Sequence, residues 1–129
     1  MGELTPSENE WQIMEVIWKA GRPVTASEVI EQVADRMDIT KKTIRVMLNR
    51  LVAKGVIDYT LDKKDARIYH YFPLRSREEC IRIKSNRFLK HYFSGRSALA
   101  VASFLKEGEV SEEELEELSR MVEQMKKKK

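Results

Sequence analysis

Apolar residues recur along this chain at two periods, and the change of period divides its first half. From Thr40 to Gly55 the period is helical. At 100° per residue, Ile44, Met47, Leu48, Leu51 and Val52 share one side. Lys42, Val46, Asn49 and Ala53 are centred on the other, with Thr43, Arg45 and Arg50 on its flanks. This predicts a helix from about Lys41 to Lys54, stopped by a left-handed glycine cap at Gly55. Two helices are predicted before it. Thr5-Pro6-Ser7-Glu8 reads as a start in which Thr5 caps, Pro6 takes the first helical position and Glu8 completes a capping box. Trp11, Met14, Val16, Ile17 and Trp18 then supply the apolar face, and Gly21 ends the helix. Thr25-Ala26-Ser27-Glu28 is a second capping box, opening a helix with Val29, Ile30 and Val33 inward.

After Gly55 the pattern becomes β-prone. Val56–Leu61 and Arg67–Phe72 are strand-like runs separated by a polar turn, Asp62–Ala66, and Pro73 closes the segment. Three helices followed by a hairpin with a charged tip is the order of a winged helix-turn-helix. From Ser76 the chain is helical again. Ser76-Arg77-Glu78-Glu79 is a third capping box, and Ile81, Phe88, Leu89, Tyr92 and Phe93 form an apolar stripe. Gly95 and Gly108 bracket a short apolar helix over Ala98–Leu105. Ser111-Glu112-Glu113-Glu114 then caps a last helix, with Leu115, Leu118, Val122 and Met125 at three-four spacing. The predicted class is mainly α (α+β): a winged-helix DNA-binding domain over residues 1–75 and a three-helix dimerisation domain over 76–129. Three short amphipathic helices appended to a small domain have little to bury themselves against in one chain. A second copy is the economical cover, and Phe88, Tyr92, Leu99, Phe104, Leu115, Leu118 and Val122 are assigned to that interface. Lys126 to Lys129 reads as a frayed basic tail.

Composition sharpens this picture in one respect. A net charge of +3 is a weak argument by itself, but the charges are sorted along the chain. Residues 1–35 carry two basic and seven acidic groups, residues 36–67 nine and four, and residues 107–123 one and eight. Such sorting presents a basic surface to an anion while the segments 1–35 and 107–123 stay acidic. The single cysteine, Cys80, excludes an intramolecular disulfide and reads as a half-buried small residue on a helix. With no apolar run near the ~18 residues of a membrane span and no signal peptide, the expected location is the cytoplasm.

The basic stretch is the candidate site. Arg36, Lys41, Lys42, Arg45, Arg50 and Lys54 face a single acid, Asp38, within Arg36–Lys54. Most charge runs are simply solvated faces. Here the run lies on a helix preceded by two capped helices and followed by a hairpin bearing Lys63, Lys64 and Arg67. That context points to double-stranded DNA, whose major groove offers phosphates and base edges to Lys and Arg. The assigned contacts are Thr40, Lys41, Lys42, Thr43, Arg45, Val46, Asn49, Arg50, Lys63, Lys64 and Arg67. The alternative is a winged-helix protein–protein module that never touches nucleic acid, which acid in place of base on the third helix would have favoured. Catalysis finds no support: His70 lies in a strand among aromatics, His91 lies on a helix, and neither stands at ligand spacing from the other or from Cys80. The acidic run Glu109–Glu117 suits a helix N-terminus. No metal, cofactor or small-molecule ligand is expected.

Several strings together resemble a known family. Glu10-Trp11 with Met14, Ile17-Trp18, K-T-I-R at Lys42–Arg45, R-L-V-A-K-G at Arg50–Gly55 and E-L-E-E-L ending at Leu118 are similar to the BlaI/MecI/CopY-type penicillinase and methicillin-resistance repressors. The resemblance covers nearly the whole chain. It implies a winged-helix domain, a helical dimerisation domain, repression through an inverted-repeat operator, and a link to antibiotic resistance. Lys42, Thr43 and Arg45 occupy the positions that such repressors place at the major groove. Val46 stands where the family often has Thr, and its isopropyl group can pack on a thymine methyl. Copper-responsive members carry paired C-x-C motifs, which this chain lacks. Members responding to β-lactams, through a membrane sensor-protease pathway, are inactivated by cleavage at an Asn-Phe bond. Ser103-Phe104 matches that position, keeping the Phe without the Asn.

Overall fold

The computed structural model describes residues 5–128. The helices are α1 (Glu8–Ala20), α2 (Ala26–Val33), α3 (Lys41–Ala53), α4 (Arg77–Phe93), α5 (Ser97–Glu107) and α6 (Glu112–Lys127). The strands are β1 (Val24–Thr25), β2 (Ile57–Leu61) and β3 (Tyr69–Pro73). The chain divides into two compact units, Met1–Ser85 and Asn86–Lys129, with the division falling inside α4.

In the first unit the helix starts follow their caps. Thr25 accepts from the Glu28 N–H while the Glu28 carboxylate takes the Thr25 N–H, as the sequence predicts. The Arg22 guanidinium and the Thr25 N–H together hold Glu28 at about 2, so α2 begins beside a firmly ionised carboxylate. The start of α1 departs from expectation. Ser7, not Thr5, is the cap, and Glu10 rather than Glu8 reaches back to it. Pro6 therefore lies before the helix. Thr5-x-x-Glu8 and Ser7-x-x-Glu10 both spell a capping box, and the second also lets Glu10 meet Lys54, the residue that follows α3. At Ser76 one half of the expected box is present, the Glu79 N–H donating to the hydroxyl, while the Glu79 carboxylate takes Arg75.

The sheet has order β1-β3-β2, all antiparallel. The β2–β3 hairpin is the predicted wing, in register Tyr59↔Tyr71 and Leu61↔Tyr69. Strand β1 lies outside the predicted elements, because two residues after Pro23, the second of them the cap of α2, display no period. Gly55 sits at φ 76°, the left-handed stop that turns the chain from α3 into β2.

The core collects Ile13, Met14 and Ile17 of α1, Val29 and Val33 of α2, Ile44, Leu48 and Leu51 of α3, then Val56, Ile57 and Tyr71. Each fully buried aliphatic side chain here contributes about 1.5–3 kcal/mol. Ile13 belongs to this set and was absent from the predicted stripe. Cys80 completes it from the first turn of α4, fully buried rather than half-buried, and burial pushes its thiol above the ordinary range. Trp18 donates its indole N–H to the Arg75 carbonyl, and Arg77 pairs with Glu15 of α1. The beginning of α4 thus packs as part of the first unit.

The second unit buries very little. Phe88 packs its ring against Tyr92, Phe93 and Phe104 at centroid separations of 5.1, 5.7 and 6.0 Å. Ala100 is the buried residue of α5, and among the described residues α6 has none. Ser111 and Glu114 form the predicted capping box of α6. Lys126 and Lys127 are helical rather than frayed, and Lys129 lies outside the described residues. No helix among the described residues is long and apolar enough to cross a membrane.

Candidate nucleic-acid interface

Helix α3 is fixed by its buried stripe, which leaves its opposite side to solvent. Lys41, Lys42, Thr43, Arg45, Val46, Asn49 and Arg50 are all exposed there. Thr40 is exposed as well, but its hydroxyl is committed: it accepts the Thr43 N–H at 3.1 Å and lies 2.9 Å from the Thr43 hydroxyl. Its role is to cap the helix, and the first turn carries no acid to oppose an incoming phosphate.

Two open hollows flank this face. One is lined by Lys42, Thr43, Val46 and Arg50 together with Ser7 and Asn9 from the start of α1. The other is lined by Arg45 and Asn49, with Thr25 and Ser27 at the start of α2 and Arg67 and Tyr69 from the wing. The structure therefore brings Arg67 beside the exposed side of α3. Lys63 and Lys64 stand apart, exposed at the wing tip. Ser7, Asn9, Thr25, Ser27 and Tyr69 are not among the contacts assigned from sequence. The helix starts carried a usable signal, because in a helix-turn-helix the N-terminal ends near the reading helix also approach the backbone of DNA.

The aromatic residues of the wing pack on one another beside this face. Tyr59 and Tyr69 stack at 4.2 Å with their planes 4° apart, and Tyr71 packs against both from the core. Burial pushes the Tyr71 phenol up and the Arg45 guanidinium opposes the shift, so the charge of Arg45 is felt at the base of the wing.

Two cations are less free than composition suggests. Arg67 is gripped by Asp65, Nε on Oδ1 at 3.0 Å and Nη2 on Oδ2 at 3.1 Å, so an anion reaching it competes with a carboxylate. Lys54, counted in the basic stretch, is turned away from the exposed face. Its ammonium lies 2.6 Å from Glu10 Oε1 and 3.2 Å from the Thr5 carbonyl, tying the end of α3 to the start of α1.

Known proteins are similar to this chain. The penicillinase repressor of Bacillus licheniformis is 32% identical over 123 residues, spanning 95% of this chain and 93% of its own. The methicillin resistance regulatory protein MecI of Staphylococcus aureus is 32% identical over 112 residues, 87% of this chain and 88% of its own. The solution structure of the DNA-binding domain of the repressor BlaI superposes with a TM-score of 0.51 at 29% identity, covering 61% of this chain and 93% of that domain. The YusO protein of Bacillus subtilis shares the fold over 95% of this chain, with a TM-score of 0.51 at 20% identity. The model of the penicillinase repressor family matches residues 6–124, and this chain belongs to that family.

Proposed function

We propose that this protein is a dimeric transcriptional repressor that binds an inverted-repeat operator in double-stranded DNA. The observation that carries the reading is the exposed, acid-free face of α3, set between two helix starts and a basic wing. Lys42, Thr43, Arg45, Val46 and Asn49 read base edges in the major groove, while Lys41, Arg50, Lys63, Lys64 and Arg67 meet phosphates. The names of its relatives favour control of a resistance gene.

Two-fold symmetry places two α3 helices on half-sites about 34–36 Å apart. Residues 76–129 serve as the dimerisation part, with Phe88, Tyr92, Leu99, Phe104, Leu115, Leu118 and Val122 at the interface. The bare apolar stripe of α6 favours this assignment, since Leu115 and Val122 are about half exposed in the single chain. Release follows cleavage at Ser103-Phe104 by a protease under a membrane sensor, because the cut separates α6 and the last turn of α5 from the rest.

The test begins with selection of an operator from a random-sequence duplex library. Arg45→Ala should then lower affinity for that operator by about 1–3 kcal/mol while leaving scrambled DNA nearly unaffected. Lys63→Ala should weaken all sequences alike and reduce the salt slope by about one. Mobility-shift titrations separate the two patterns, and near-wild-type operator binding by Arg45→Ala would remove the assignment.

A further inference from the structure

The wing tip contains a pair that DNA reading alone does not use. His70 lies on β3 with its Nε2 2.9 Å from Oδ1 of Asp62, both side chains about 30% exposed. A carboxylate can only accept, so Nε2 is the donor. The other Asp62 oxygen accepts the backbone N–H groups of Lys64 and Asp65, each at 3.0 Å. The Asp62 N–H in turn donates to the Ile68 carbonyl, and the Ile68 N–H to the Asp65 carbonyl. One carboxylate thus closes the turn that carries Lys63 and Lys64, and one ring holds that carboxylate from the strand.

We propose that His70 is a positioning residue for DNA binding: through Asp62 it holds the wing turn bearing Lys63 and Lys64, and protonation of the ring tightens that hold, so operator affinity rises as the pH falls. The inference rests on the DNA-binding reading above and adds a regulator to it. The neutral ring gives an ordinary hydrogen bond, whereas the charged ring gives a charge-assisted one. Histidine is the side chain whose ordinary titration falls between about pH 5 and 8. Asp62 stays ionised throughout that window, because its bond to His70 and the two backbone N–H groups hold its carboxyl below the usual range.

The surroundings leave Asp62 as the acid bonded to the ring. Across the sheet His70 is paired with Thr60 of β2 on one side and Thr25 of β1 on the other. Charged groups close in sequence to these positions are Asp58 on β2, Glu28 and Arg22 around β1, and Lys63, Lys64, Asp65 and Arg67 in the turn; Arg45 of α3 shares a hollow with Thr25. Glu28 is engaged by Arg22, Asp65 by Arg67, and Asp58 accepts the Tyr59 N–H.

The test measures binding of the full chain to its selected operator at fixed ionic strength, between about pH 8 and pH 6. Wild type should bind roughly two- to fivefold more tightly at the acid end, the range of a partly exposed ion pair. His70→Gln should flatten that response, and His91→Gln, removing the chain's other histidine, should not. Asp62→Asn is the decisive variant. It keeps His70 and an oxygen for the turn, so a mere gain of positive charge near phosphate would preserve the pH response. Loss of the response supports the latch. A response that persists in His70→Gln or in Asp62→Asn would overturn it. Amide protection of Lys64 and Asp65 in the free wild-type protein gives a readout independent of DNA and of any variant's folding. Protection should rise as the pH falls over the same range, and protection indifferent to pH would also overturn the proposal. Failure of the wild type to select any operator would instead remove the DNA-binding reading while leaving the amide readout intact.

Discussion

A chain ending at Ser85 should fold, sediment as a monomer and bind the operator about 10²–10⁴-fold more weakly than the full chain. The endpoint follows from packing. Residues up to Ser85 include their own core, closed by Cys80, and the backbone N–H groups of Leu74 and Arg75 both donate to the Val56 carbonyl. A cut at Leu74 would strip Cys80 from that core and the Arg75 carbonyl from the Trp18 indole. A cut at Ser85 leaves these in place and removes the helices whose apolar stripes stay largely exposed among the described residues. Once one half-site is occupied, a linked second reader experiences a high effective concentration, and losing the link removes that gain without touching a single DNA contact. Cleavage of an engineered protease site between Ser103 and Phe104 should act in the same direction, leaving the first unit folded. Sedimentation velocity and operator titration on both species provide the measurement. A Ser85-terminated chain that remains a tight dimer would place the interface in the winged helix.

What could be read from the sequence was mostly what one short window determines. The stripe of α3 recurs within 13 residues, and its burial follows once any core forms against it. The α2 and α6 capping boxes are equally local. Errors arose where distant residues chose between local options. Thr5-x-x-Glu8 and Ser7-x-x-Glu10 are equivalent as strings, and the partner of Glu10 lies 44 residues away. Strand β1 exists because β3 offers it an edge, which Val24-Thr25 alone cannot announce. The His70–Asp62 pair was hidden for the same reason: its members sit eight residues apart on opposite arms of a hairpin. The second unit is a different case. Its amphipathic spacing was plain, but among the described residues α6 buries none of that stripe.

Lys54 carried a signal that a count of charges discards. Seven residues beyond Met47, it projects only about 20° from that buried side chain at 100° per residue, on the edge of the apolar face. There it meets Glu10, which is 2% exposed. Burial pushes the Glu10 carboxyl up, but the Lys54 ammonium, aided by the Ser7 N–H, outweighs it and leaves the carboxyl below its ordinary range. In the wild type this group therefore contributes stability at neutral pH that is lost as the pH falls through its lowered value. Lys54→Met should invert that dependence. With its cation gone, Glu10 remains buried beside a thioether, its pKa rises above the unfolded value, and the charged form is penalised. The variant should lose about 3 kcal/mol at neutral pH, the low end for breaking a buried pair, and recover part of it on acidification as Glu10 takes up a proton. Denaturant unfolding at several pH values reads both the magnitude and the reversed slope. Because Lys54 is turned from the exposed face of α3, the salt slope of DNA binding by the folded variant should stay at the wild-type value. A slope reduced by about one would return Lys54 to the phosphate contacts, and stability that still falls with acid would show that Glu10 does not depend on it.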